Sequence, residues 1–261
     1  MQISLRDKQA LVSGSTQGIG LAIAKELASL GASCTLLARN EDALRDVLQQ
    51  LDRSAGQMHG YLVADFASAE QVRQAIANHV SHHKVHVLVN NTGGPPPGPI
   101  ADAAPADFAK YFEQHILCNQ ILVQHCLPSM KADQYGRIIN VISTSVKVPI
   151  ENLGISNTIR GAVASWAKTL SLEVARYGIT VNSILPGFTK TERLHALIRN
   201  IASRKNLEVA DVWSQMESEV PAKRFGEAEE VAAVAAFLAT PAAAYVNGTS
   251  IPVDGGRTGA M

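Results

Sequence analysis

Apolar runs of strand length recur from one end of the chain to the other, at Gln9–Ser13, Ser33–Ala38, Met58–Val63, Val85–Asn90, Gly136–Ile142, Thr180–Leu185 and Ser250–Val253. A strand with one wet side alternates apolar and polar residues. These runs are rich in Val, Ile and Leu on both sides, which predicts a parallel sheet covered on both faces. Between them, sets such as Ile19, Ile23, Leu27 and Leu30, or Val163, Trp166, Ala167 and Leu170, recur at three- and four-residue intervals. That is the period of a helix with one buried stripe. Strand and helix alternate throughout, so the class is α/β with a doubly wound, seven-stranded parallel sheet, whose ligands sit at the carboxyl ends of the strands. No linker, repeat or low-complexity stretch divides residues 1–261, which reads as a single domain.

Two segments break the alternation. From Phe188 to Lys223 no strand pattern occurs, while Leu194, Leu197, Ile198 and Ile201, then Val209, Val212, Trp213 and Met216, keep helical spacing. This predicts a helical lid over residues 188–223. Its apolar residues, Trp213 among them, either line a substrate pocket or dock the insertion onto the core or a partner subunit. The second break is Gly93 to Pro99, where Pro95, Pro96, Pro97 and Pro99 enforce an extended loop after the fourth strand, a stiff wall for the ligand crevice.

Hydrophobic residues make up 46% of the chain and charged residues 18%, enough apolar surface for a packed globule and too little charge for disorder. Lys plus Arg and Asp plus Glu are 23 each, so the net charge is zero and no basic block exists to neutralise phosphates; nucleic acid is not expected as a partner. No run of about 20 apolar residues and no basic-then-apolar leader occurs, which points to a cytoplasmic protein that does not associate with membranes. Cys34, Cys118 and Cys126 lie in apolar runs without a Cys-x-x-Cys pair and read as reduced core residues. His79, His82, His83 and His86 cluster at a helix end, but no carboxylate or cysteine accompanies them, so no metal site is expected.

Chemistry enters with Gly14, Gly18 and Gly20, in the segment Ser13-Gly14-Ser15-Thr16-Gln17-Gly18-Ile19-Gly20 between the first strand and the first helix. Glycines there let the backbone turn tightly and approach a pyrophosphate, whose charge meets the unpaired N–H groups and the dipole of the helix N-terminus. Gly14, Ser15, Gln17, Gly18, Ile19 and Gly20 are therefore candidates for binding a dinucleotide. Arg39 directly follows the second strand, where the adenosine ribose would lie. An acidic residue at the strand end would hold a free 2′-hydroxyl; Ala38 stands there instead, and the adjacent guanidinium suits a 2′-phosphate, favouring NADP over NAD. The other reading of Arg39 is a solvated side chain without a ligand.

The spacing Gly-x-x-x-Gly-x-Gly is that of the short-chain dehydrogenase/reductase family, which the sequence resembles along essentially its whole length. Asn90-Asn91-Thr92-Gly93 is similar to the family's Asn-Asn-Ala-Gly after the fourth strand, and Leu127-Pro128-Ser129-Met130 to its helix-end motif. Asn140-Val141-Ile142-Ser143 resembles the segment with its catalytic serine, Pro186-Gly187 with Thr191 its nicotinamide-side loop, and Val253-Asp254-Gly255-Gly256 its C-terminal signature. The resemblance implies a Rossmann-like fold and an NADP-dependent oxidoreductase, similar to 3-oxoacyl-carrier-protein reductases, acting on a small carbonyl or alcohol. It places Asp65 and Phe66 at the adenine, and Asn90, Asn91, Gly93, Pro186, Gly187 and Thr191 around the rest of the cofactor. It also implies a homotetramer that pairs the helices containing Cys118 and Trp166 and buries the strand near Val253.

The catalytic pattern departs from the family's. A Tyr-x-x-x-Lys pair there puts a phenol and an ammonium on one helical face, the cation making the phenol acidic enough to exchange a proton with the substrate oxygen. Thirteen residues beyond Ser143 stands Ser156, and four further on Arg160. The tyrosines, Tyr61, Tyr111, Tyr135, Tyr177 and Tyr245, are followed at the fourth position by Asp65, His115, Ile139, Val181 and Thr249, so no Tyr-x-x-x-Lys exists. His115 stands where the family keeps a helix asparagine. Ser143, Ser156, Arg160 and His115 are the candidate catalytic residues: Ser143 to orient the substrate oxygen, Arg160 to carry charge and hold the cofactor ribose, Ser156, His115 or water to move the proton. The rival reading, from the same substitutions, is a cofactor-binding protein without turnover, serving as a sensor or an assembly subunit.

Overall fold

The computed structural model describes residues 1–259. Seven strands, β1 (Gln9–Ser13), β2 (Ser33–Ala38), β3 (Gly60–Val63), β4 (Val87–Asn90), β5 (Gly136–Val141), β6 (Ile179–Pro186) and β7 (Ser250–Val253), form one sheet in the order 3-2-1-4-5-6-7. Every pair is parallel. β3 and β4 start two residues later than their apolar runs, because side chains intervene in the backbone pairing there. Met58 N donates to Ser33 Oγ, and Val85 N to Ser129 Oγ. His86 accepts from Gln9 N on Nδ1 and bonds Asp133 through Nε2, a buried histidine with both nitrogens engaged.

The described residues form nine helices: α1 (Gly18–Ser29), α2 (Glu41–Leu48), α3 (Ala69–Val80), α4 (Pro105–Phe112), α5 (Cys118–Ala132), α6 (Gly154–Val174), α7 (Glu192–Lys205), α8 (Val209–Ser218) and α9 (Ala228–Ala239). One face buries Ile23, Leu27, Leu44, Val231 and Leu238 from α1, α2 and α9 against Leu36, Val89 and Ile139. The other buries Ile76, Leu122, Met130 and Val174 from α3, α5 and α6 against Leu88, Ile138 and Val181. With both faces covered, β4 and β5 are buried along their whole length, which is why their sequences carry no polar alternation. None of the described helices is long and apolar enough to cross a membrane.

The sheet reverses its winding between β1 and β4, and side chains join the two strand ends. Ser13 Oγ donates to Val89 O at 2.9 Å and accepts from Asn91 N at 2.9 Å. Asn91 Nδ2 in turn donates to Gly14 O at 3.2 Å. Residues 188–223 contain α7 and α8, which with the following Phe225 build a small core of their own from Leu194, Ile198, Val212, Met216 and Phe225. Trp213 packs between His195 and Phe225, with ring centroids 5.2 and 4.9 Å away. It packs within the insertion and is not among the residues that line the cleft.

Candidate active site

A cleft of about 480 Å³ opens at the carboxyl ends of the central strands, lined by the glycine loop, the residues after β2 to β6, and the first turns of α6 and α7. At one end the backbone is shaped for close approach. Gly14 has φ +58°, and a Cβ there would lie 2.4 Å from Asn91 O; at Gly20 it would lie 2.1 Å from Gly14 O. No side chain larger than hydrogen fits either position. Gln17 does not cap α1 with its side chain and no acid stands in the first helical turn, so the positive end of the helix is left for a ligand. Gln17, Gly18, Ile19, Arg39, Asp65 and Phe66 line this end, and Arg39 is exposed with no ion-pair partner among the described residues. Ser15 and Gly20 lie buried beneath the loop.

Pro186 and Gly187 form the far wall. Gly187 N donates to Val253 O at 3.0 Å, and Asp254 accepts from the Gly256 and Thr258 amides, so the C-terminal segment braces this loop. Thr191, preceding α7, packs on Gly18, and Asn91 and Gly93 complete the wall. Asn90 stands elsewhere than the sequence implied. Its Nδ2 donates to Asn140 Oδ1 at 2.9 Å, tying β4 to β5 behind the wall, and its side chain is buried away from the cleft.

Ser143, Ser156 and Arg160 come together at the other end. Ser143 follows β5 in extended conformation and accepts from Ser145 N. Ser156 lies in the first turn of α6, and Arg160 one turn on, which puts both on one helical face. Arg160 is 7% exposed and donates from Nη1 to Val141 O at 2.9 Å and from Nη2 to Thr92 O at 3.4 Å. Burial, and then the nearby Arg193 cation, pull its pKa down to about 9, which leaves it charged at neutral pH. His115 sits in a π-helical stretch, Glu113–Leu117, that joins α4 to α5. It does not touch the cleft: it is 1% exposed, and its Nδ1 is hydrogen-bonded to Thr92 Oγ1 at 2.8 Å. Burial, reinforced by Arg160 and Arg193, pushes its pKa down to about 3. The ring is therefore neutral, so an imidazolium does not supply the proton; what it reaches of the cleft, it reaches through Thr92.

Residues 14–258 match the family model described as enoyl-(acyl carrier protein) reductase. The chain belongs to the short-chain dehydrogenase/reductase family. NADPH-dependent reductase BacG of Bacillus subtilis is 31% identical over 251 residues, 95% of this chain and 97% of the relative. L-sorbose reductase from Gluconobacter frateurii, solved with NADPH and L-sorbose, superimposes with a TM-score of 0.93 at 30% identity over the full length of both chains. A variant of actinorhodin polyketide ketoreductase solved with NADPH gives 0.89 at 30% identity, covering 97% of each chain.

Three wall residues of this family member escaped sequence reasoning. Thr92 replaces the alanine of the family motif, and the added hydroxyl is what binds His115. Arg193 lies in the first turn of α7, where the helix dipole disfavours a cation; that misplacement was a readable signal. Leu153, with Ile150, Phe188 and Leu197, is shared by the cleft and a second cavity of about 380 Å³, whose wall continues through Ile201, Val212 and Met216. No sequence pattern marks that junction.

Proposed function

We propose that the protein is an NADP(H)-dependent oxidoreductase that interconverts a carbonyl and an alcohol without the family's tyrosine. The observation that carries the reading is that the departures from the family pattern touch one another. Thr92 bonds His115 through its hydroxyl and Arg160 through its carbonyl, and Arg160 stands one turn from Ser156. A site decaying without selection on its chemistry has no reason to keep its replacements hydrogen-bonded to each other.

The glycine loop, Arg39, Asp65, Phe66, Asn91, Gly93, Pro186, Gly187 and Thr191 would hold the dinucleotide, with Arg39 on the 2′-phosphate. The shape of the Gly14–Gly20 turn and the uncapped α1 fit that group, and the relatives named above use NADPH. When bound, the nicotinamide supplies or accepts the hydride. Ser143 and Ser156 hydrogen-bond the substrate oxygen. Arg160 stabilises the negative charge that develops there, acting as a fixed cation beside the oxygen rather than as a proton donor. The proton passes from solvent through the Ser156 and Thr92 hydroxyls, with the neutral His115 ring orienting the Thr92 hydroxyl through its hydrogen bond at Nδ1. The second cavity takes the apolar remainder of the substrate.

Purified protein is incubated with NADPH and a panel of ketones, β-ketoesters and quinones, and cofactor oxidation is followed at the nicotinamide absorbance band. The expected result is turnover with part of the panel, reduced about a hundredfold by Ser143→Ala. NADPH binding with no oxidation by any compound would instead indicate the sensor or assembly subunit, and failure to bind either NADPH or NADH would reject both.

A further inference from the structure

Charge does not balance at the end of the cleft where Ser143 and Ser156 stand. Arg160 is buried, and its protein acceptors are the backbone carbonyls of Val141 and Thr92. Arg193 reaches the same cleft from α7 and donates from Nη1 to Gly94 O at 3.1 Å and from Nη2 to Pro95 O at 3.2 Å. A guanidinium has five N–H donors, so each arginine keeps donors free after these bonds. Neither has a carboxylate within ion-pair distance among the described residues. Glu192, which also lines the cleft, is paired with Arg199, and Arg257 is paired with Glu219. Asp65 belongs to the end beyond β3.

Taking the Arg160 cation out of water is unfavourable unless a counter-charge accompanies it, and the more exposed Arg193 cation nearby repels it as well. Both guanidinium groups hold the same loop, Arg160 at Thr92 O and Arg193 at Gly94 O and Pro95 O, and both line the cleft, so the two charges face one stretch of it. Carbonyl dipoles offset part of this. They do not neutralise it.

We infer that the missing counter-charge is the substrate's own, and that the site takes an oxo acid, a carbonyl compound bearing a carboxylate held by Arg160 and Arg193 while its carbonyl oxygen meets Ser143 and Ser156. The inference rests on the reductase reading for the reacting carbonyl, but the anion site stands on the two arginines alone. It also gives a chemical reason for arginine where the family has lysine: a planar fork of donors binds a carboxylate through two parallel bonds, which an ammonium cannot do. The same chemistry would suit a cofactor pyrophosphate, so the two sources must be separated.

Initial rates are measured on the NADPH-loaded protein with a series of 2-oxo and 3-oxo acids and their methyl esters, alongside NADPH affinity, for the wild type, Arg160→Gln and Arg193→Gln. The acid is expected to exceed its ester in kcat/KM by about a hundredfold, as loss of charge-assisted bonds implies. That ratio should fall to tenfold or less in either variant, while NADPH affinity in Arg193→Gln stays within about threefold. Arg193 is exposed, so its variant remains informative if a buried glutamine at position 160 unfolds the protein. Esters reduced as well as acids would overturn the anion site and leave the reductase reading intact. Loss of NADPH affinity by tenfold or more, with the acid-to-ester ratio unchanged, would assign the arginines to the pyrophosphate and also overturn it. If no compound is reduced, calorimetric binding of an oxo acid to the NADP-loaded protein, abolished in Arg160→Gln, would support the site while the reductase reading fails; absence of that binding too would remove both.

Discussion

Burial sets the charge of His115, and stability should report it. Folded, the ring stays neutral down to about pH 3; unfolded, it takes a proton near its ordinary value of 6.5. Between those values the unfolded chain binds more protons, so stability is lost as pH falls below 6.5, by about 2 kcal/mol at pH 5 from this residue. Urea unfolding at pH 7 and pH 5 should show that loss in the wild type and a loss smaller by about that amount in His115→Asn; equal losses would show that the ring is not held neutral. Arg39 makes a second prediction, since an exposed guanidinium beside Ala38 with no protein partner is free for a phosphate. Arg39→Asp should weaken NADPH binding about tenfold to a hundredfold and NADH binding little, and equal wild-type affinity for the two would mark the side chain as merely solvated. The third concerns the missing phenol. Ser156 is an alkyl alcohol, so Ser156→Tyr with Arg160→Lys should accelerate reduction of simple ketones by about a hundredfold or more, and Arg160→Lys alone should do little. A folded, cofactor-binding double variant no faster than the wild type would show that the proton donor is not limiting and favour the Thr92–His115 route.

The elements differ in how plainly their sequences announce them. Strands buried on both faces and helices with one stripe were readable because burial leaves a periodic mark, and the break at Phe188 to Lys223 was readable for the same reason. The π-helical turn at Glu113–Leu117 was not, since its residues are equally at home in an α-helix. Nor was the Thr92–His115 contact, which joins residues 23 apart through no shared period. The insertion carries its own prediction. Its small core, Leu194, Ile198, Val212, Met216 and Phe225, is separate from the two that cover the sheet, so it should open on its own. Trp213→Ala removes the ring between His195 and Phe225 and should destabilise the insertion by about 2 to 3 kcal/mol, a discount on full aromatic burial because Trp213 is partly exposed. Hydrogen exchange should quicken across 192–218 with the β4 and β5 amides unchanged; quickening throughout would mean that the insertion unfolds only with the whole.

For the whole molecule, the sequence was a good guide to layers and winding and a poor one to what lies beyond the chain. The parallel order follows from burial within one copy, whereas contacts between copies leave no periodic trace and show only as apolar residues that one copy does not need. Such residues lie along the helices that the family resemblance pairs: Phe112 and Leu117 at the α4–α5 junction are 43% and 44% exposed, and Leu172 near the end of α6 is 70% exposed. Cys118 and Ala167, on the same helices, are already buried inside the copy, so the outward residues are additional to the intramolecular core. Leaving several large apolar side chains in water on neighbouring helices is unfavourable by about 25 cal/mol for each Å² of apolar surface, and a closed assembly with twofold axes relieves it by pairing the same helices from two copies. We expect a homotetramer. Light scattering at micromolar concentration should give a mass about four times the 27.8 kDa chain, and Leu172→Glu, placing a charge where a second copy's helix would pack, should shift the population to smaller species without loss of secondary structure. A wild type running at the mass of one chain would refute the assembly, and a Leu172→Glu tetramer as stable as the wild type would move the interface away from α6.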